Sequence, residues 1–192
     1  MKYFIRIFLC AAGVLTVVFN SYAQQPAKAE EPKTKLESFQ AKTGVVIIKG
    51  YSTVGRLSGQ YGGGSVEVQS REFKDATSGL GVLGVMLTVK EGGRLETEER
   101  SFIDYDEIDS LIKGLDYVSK MDKSVTSLSG FEANYRTRGG LMITTFSDSS
   151  TGGISAAVTS GRADVFIKLE DLVKLRQLLI DAKSQLDAIR QK

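Results

Sequence analysis

Histidine and tryptophan are absent from the 192-residue sequence, cysteine occurs once, as Cys10, and proline twice, as Pro26 and Pro32. Without histidine there is no Ser-His-Asp or Cys-His nucleophile system. Zinc sites built on imidazole, non-haem iron triads and the usual haem ligation fall with it. Only all-oxygen sites for calcium or magnesium remain open, and no cofactor or metal is expected.

The N-terminus has the form of a cleavable export signal. Lys2 and Arg6 are followed by an apolar run from Ile7 to Phe19, and Ser21-Tyr22-Ala23 offers the small residues that signal peptidase requires. The run is shorter than the roughly 20 residues of a bilayer-spanning helix, so residues 1–23 are expected to be cleaved rather than to anchor the chain. Cys10 lacks the small residues that precede a lipidated cysteine, and it leaves with the signal. The mature chain then holds no cysteine to form a disulfide, and its core alone must stabilise it. Of 25 basic and 23 acidic residues, Lys2 and Arg6 belong to the signal. The remainder is electrically neutral, which argues against a nucleic-acid or anionic-membrane partner.

Residues 24–37 hold both prolines among Lys, Glu, Gln and Ala, a composition that predicts a disordered polar tether. From Thr43 the pattern becomes β-like. Val45–Ile48 is a β-branched run; Val66 and Val68 alternate with polar residues as far as Phe73; Leu83, Val85, Leu87 and Val89 share one face; and Glu96–Ile103 reads as a polar strand with one solvated side. Asp104, Asp106, Glu107 and Asp109 then open a helix with the stripe Ile108, Leu111, Ile112, Leu115 and Val118. Acids there complement the positive end of the helix dipole, and Asp104 with Glu107 has the character of a capping box.

The second half repeats this order. Alternation in Phe131–Arg136, a Gly139-Gly140 turn into Leu141–Phe146, Ile154–Thr159 and Val165–Ile167 supply four strands. A final helix over about 169–189 carries Leu172, Leu175, Leu179, Ala182, Leu186 and Ile189. The two strand-to-helix junctions superimpose at an offset of 64 residues, with Phe102-Ile103 on Phe166-Ile167, Leu111 on Leu175 and Leu115 on Leu179. Internal duplication gives this, and so does the common grammar of any strand feeding an acid-started helix. The tandem ββββα order over 43–189 resembles the Whirly, Pur-alpha and PC4 group of single-strand-binding folds, in element order only. The resemblance implies a basic, aromatic sheet face, which the first half is read as lacking. The junction Phe102-Ile103-Asp104-Tyr105-Asp106-Glu107-Ile108 is similar to one in an uncharacterised family of exported bacterial proteins; that likeness carries no function.

Several motifs match in letters but not in context. Gly79–Gly84 fits G-x-G-x-x-G, yet a strand rather than a helix follows. Ser110–Lys113 and Lys42–Gly44 fit S-x-x-K and K-T-G in the wrong order for a penicillin-binding serine enzyme. Gly62–Ser65 lacks the Lys-Ser/Thr of a phosphate loop, and Ser147–Gly153 lacks the acid spacing of a calcium loop. The four acids 104, 106, 107 and 109 could in principle serve glycoside hydrolysis or hold calcium, but capping explains them more simply.

The fold class expected is therefore α+β. Two ββββα units form one domain, residues 38–192, with antiparallel sheet packed against two helices. No catalytic, cofactor-binding or metal-binding residue is predicted. The function expected is that of an exported, periplasmic or secreted, non-catalytic module that binds an envelope protein or a small ligand. The alternatives are a carboxylate-dependent enzyme acting on glycans and a structural protein that self-associates through its last helix, as a homodimer. The widened stripe of that helix favours packing on the domain's own sheet.

Overall fold

Two antiparallel four-stranded meanders, each followed by a helix, account for most of the chain. The first sheet is β1 (Ile47–Ser58), β2 (Gly64–Asp75), β3 (Gly81–Glu91) and β4 (Thr97–Asp104), hydrogen-bonded in that order. The second is β5 (Glu132–Arg136), β6 (Met142–Ser147), β7 (Ile154–Ser160) and β8 (Ala163–Lys168), again in sequence order. Helices α2 (Ile108–Val118) and α3 (Asp171–Arg190) follow the two sheets, and a six-residue helix, α1 (Lys35–Gln40), precedes them. The computed structural model describes residues 31–60, 63–94, 96–149 and 152–191. The stretch read as a signal, 1–23, and the tether as far as residue 30 lie outside these residues. Pro32–Lys192 forms one compact α+β unit, the class that the order of sequence patterns predicts.

The alternating residues of the sheets meet in one apolar core. Val66, Val68, Val85, Leu87, Val89 and Ile103 from the first sheet join Ile143, Ala156, Val158, Val165 and Ile167 from the second. Both helical stripes close it, with Leu111, Leu115, Leu172, Leu175, Leu179 and Leu186 fully buried. Each such side chain contributes about 1.5–3 kcal/mol by leaving water.

The helices are exchanged between the halves. α3 lies across β1, β2 and β3 of the first sheet, whereas α2 packs on β5 and β6 of the second, and the two helices pack on each other. Gly114 in α2 makes one of these contacts possible, since a Cβ there would stand 2.2 Å from the Tyr135 ring. Neither half could bury its own sheet alone, so the unit is expected to fold cooperatively. The 3-4 stripe of α3 is spent inside the domain; of its large apolar residues only Val173 and Ile189 are exposed. Among the described residues no helix is long and apolar enough to cross a membrane.

Two boundaries differ from the sequence reading. β1 runs for 12 residues, far beyond the Val45–Ile48 run. It is an edge strand with an irregularity between Thr53 and Gly55, and only Leu57 of its side chains is buried, so no alternation marks it. The tether does not extend to Glu37. Thr34 caps α1 in a reciprocal box: its Oγ1 accepts from Glu37 N–H at 3.1 Å, and Glu37 Oε2 accepts from Thr34 N–H at 2.9 Å. Leu36 and Phe39 bury against Phe73, Val82 and Phe102 on the outer face of the first sheet. Gly84 makes room for them, because a Cβ there would lie 2.4 Å from Leu36 Cδ1.

Candidate functional site

The four acids at the β4–α2 junction are the most concentrated chemistry in the sequence, and the structure divides them. Asp104 is 1% exposed and caps another helix, its carboxylate accepting the N–H groups of Lys35 at 2.9 Å and Leu36 at 3.1 Å. Asp106 lies between Lys35 Nζ at 2.9 Å and Arg138 Nη2 at 2.8 Å, and hydrogen bonds from these two cations hold its carboxyl below the usual range. Glu107 accepts from the backbone N–H of Arg138 at 2.8 Å and from its Nε at 3.3 Å. Asp109 faces away, toward Lys183 of α3 at 3.6 Å.

The capping-box expectation is therefore corrected. Neither Asp104 nor Glu107 makes a side-chain cap bond to its own helix. Donors from α1 and the β5–β6 turn take their oxygens instead. The cluster is a clasp joining three segments, with Arg138 as its shared cation. Among the described residues no group of three or more acids is placed to hold a metal ion.

A concave feature with an apolar wall lies elsewhere, where β1 and β2 run under the last turns of α3. Gly50 and Ser52 on β1 and Ser70 and Glu72 on β2 alternate toward the helix, and the small Gly50, Ser52 and Ser70 leave the sheet unfilled there. Gln185, Leu186 and Ile189 supply the opposite wall, and the groove measures about 320 Å³. Ser70, 4% exposed, lies with its hydroxyl 3.0 Å from Gln185 Oε1 and 3.4 Å from the Ala182 carbonyl, which holds the Gln185 amide beside the groove. Exposed Ile48 lies one alternation beyond Gly50 on the same face of β1. A groove of this size, part apolar with a few placed polar groups, suits the binding of a small molecule. No sequence signal marked it, because glycine and serine in an edge strand read as absence of pattern.

Register places a second group of residues on the opposite, outer face of the first sheet. Lys49 pairs with Phe73, Tyr51 with Arg71, and Arg56 with Glu67, while Lys90 and Arg100 fall on the same side of β3 and β4. The expectation that the first half lacks a basic and aromatic face is thus corrected. Alternation was unreadable there because β1 itself was unrecognised. Three of these cations are neutralised on the face, Arg56 by Glu67 at 2.5 Å, Lys90 by Glu96 and Arg100 by Glu98, both at 2.8 Å. No protein-family model matches this chain, and no curated protein matches it.

Proposed function

We propose that this chain is an exported, non-catalytic binding module of the cell envelope, taking a small ligand in the groove between β1, β2 and α3. The groove carries this reading. Its floor is open because Gly50, Ser52 and Ser70 are small, and Gln185 and Ser70 present polar atoms beside apolar Leu186 and Ile189. The candidate carboxylates support binding over catalysis, since cations or backbone N–H groups of other segments occupy Asp104, Asp106 and Glu107. Export rests on the pattern of Lys2, Arg6, Ile7–Phe19 and Ser21–Ala23.

The test is native mass spectrometry of the chain recovered from an envelope fraction. It is expected to begin at Gln24 and to retain an added small-molecule mass. Ser52→Phe fills the groove from an exposed position and is expected to lose that mass while keeping the circular dichroism spectrum. The same adduct on both proteins, or none on either, removes the groove from the argument.

A further inference from the structure

We propose that Arg71, at the centre of the outer face of the first sheet, is an oxyanion-binding residue that takes the carboxylate or phosphate group of a small ligand. Tyr51 and Arg71 also border the groove, but they alternate with Gly50, Ser52, Ser70 and Glu72 to the other face of the sheet, where the guanidinium meets Gln69 and Met86.

Arg56, Lys90 and Arg100 on this face are paired with carboxylates, Lys49 lies over the Phe73 ring, and Arg71 has neither a carboxylate in contact nor all its donors used. Glu67 receives Arg56 and also accepts from Gln69 Nε2 at 2.5 Å. Gln69 Nε2 approaches Thr53 Oγ1 at 3.3 Å as well, so both neighbours orient the amide the same way. Its Oε1 is thereby turned to Arg71 Nη2, at 2.6 Å. Arg71 is therefore held by a neutral amide oxygen and by Met86 Sδ at 3.4 Å, and among the described residues no carboxylate lies within ion-pairing distance of it. Its Nε is buried and has no hydrogen-bond partner.

A partly buried guanidinium with no carboxylate in contact and an unused donor is costly to keep. Burial, and next the like charge of Arg100, press Arg71 below its ordinary value. The guanidinium is nonetheless fixed in place, with the ring of Tyr51 centred 5.0 Å away and Tyr51 itself 69% exposed. A planar, positioned fork of this kind recognises a carboxylate or phosphate better than a flexible ammonium does. Arg56, Lys90 and Arg100 ring the same shallow concavity of about 210 Å³. Glu67 and Glu98 line it as well and pair with Arg56 and Arg100, as Glu96 does with Lys90, which leaves Arg71 as the cation of this concavity without an ion pair among the described residues.

The test is an NMR titration of the whole mature chain with inorganic phosphate and, separately, with acetate, ionic strength being held constant with sodium chloride. The Arg71 Nε–Hε resonance is expected to shift saturably in at least one arm, and the arm that saturates identifies the oxyanion. Two variants separate recognition from simple charge. Arg71→Lys keeps the charge and loses the fork, and it is expected to weaken binding at least tenfold. Gln69→Glu places a carboxylate on Arg71 at nearly unchanged volume. It also sets a carboxylate oxygen where Nε2 donated to Glu67, so the circular dichroism spectrum is recorded alongside; the variant is expected to stay folded and to bind at least tenfold more weakly. The proposal is overturned if Arg71 shifts linearly in both arms, or if Arg56 and Arg100 report the same midpoint. It also fails if Gln69→Glu is folded and binds as the wild type does.

Discussion

The Asp104 carboxylate accepts the backbone N–H of Leu36 at 3.1 Å across 68 residues of sequence, and the side chain of that leucine is fully buried. One residue thus fastens α1 twice, by its first-turn N–H to β4 and by its side chain over Gly84. Leu36→Ala is expected to lower unfolding stability by about 2–5 kcal/mol, since a filled site becomes a cavity. Thr34→Ala removes the cap alone and is expected to cost about 1 kcal/mol. Urea unfolding measures both. A Leu36→Ala midpoint equal to wild type would restore the tether reading for this segment.

Arg138 should prove the least replaceable cation in the protein. Its Nη2, Nε and backbone N–H serve Asp106 and Glu107, and its Nη1 stands 3.7 Å from Asp104. Arg138→Gln leaves two buried carboxylates short of countercharge. Because the arginine is 45% exposed, solvent screening limits the expected loss to about 1–2 kcal/mol. Lysine, a single point charge, cannot span three acids, so Arg138→Lys is expected to recover less than half of the lost urea midpoint. Full recovery by lysine would mean that charge alone, and not the fork, holds the clasp.

How far the chain could be read in advance follows from what each element buries. β2, β3, β8 and both long helices each bury a run of side chains on one face, so Val66, Val68, Val85, Leu87, Leu111 and Leu175 stand at the strand or helix period. β1 buries little and was invisible beyond its first residues. α1 was legible and passed over: Thr34-Lys35-Leu36-Glu37 spells a capping box, but the prolines and charges around it matched a disordered composition. The acid cluster was correctly located, and its role was not, because its partners Lys35 and Arg138 come from distant segments. Neither the groove nor the Arg71 face was legible. Both depend on the β1–β2 register, which no local pattern states.

Stability is expected to be flat between pH 6 and 8, since the sequence has no histidine and its one cysteine, Cys10, lies outside the unit Pro32–Lys192. It should fall in acid. Hydrogen bonds from Lys35 and Arg138 lower the Asp106 carboxyl, and the Tyr105 hydroxyl followed by the Lys183 charge lowers that of Asp187. A group whose folded value lies below its unfolded one, about 3.9 for aspartate, stabilises the native state above that value. The contribution is lost as pH falls through the folded value, so the loss begins below about pH 4. Asp106→Asn is expected to flatten the decline between about pH 4 and 2 and to leave the plateau at 6–8 slightly lower. Urea midpoints at several pH values decide it; a decline already present between pH 8 and 6 would contradict the assignment.

The last prediction separates the two roles open to α3. Leu179 lies in the stripe whose spacing resembles a coiled-coil seam, yet it is fully buried in the core shared by both sheets. If that seam joined two copies, a polar residue there would yield a folded monomer. If it closes the domain, the polar group is buried without a partner while leucine packing is lost. That cost of several kcal/mol is comparable with the whole stability of a domain this size. Leu179→Gln is accordingly expected to abolish the cooperative urea transition and the native circular dichroism spectrum together. Because α3 belongs to the second half and covers the first sheet, tyrosine fluorescence from both halves should change in the same transition. A soluble, folded, monomeric Leu179→Gln protein would return the helix to an interface role.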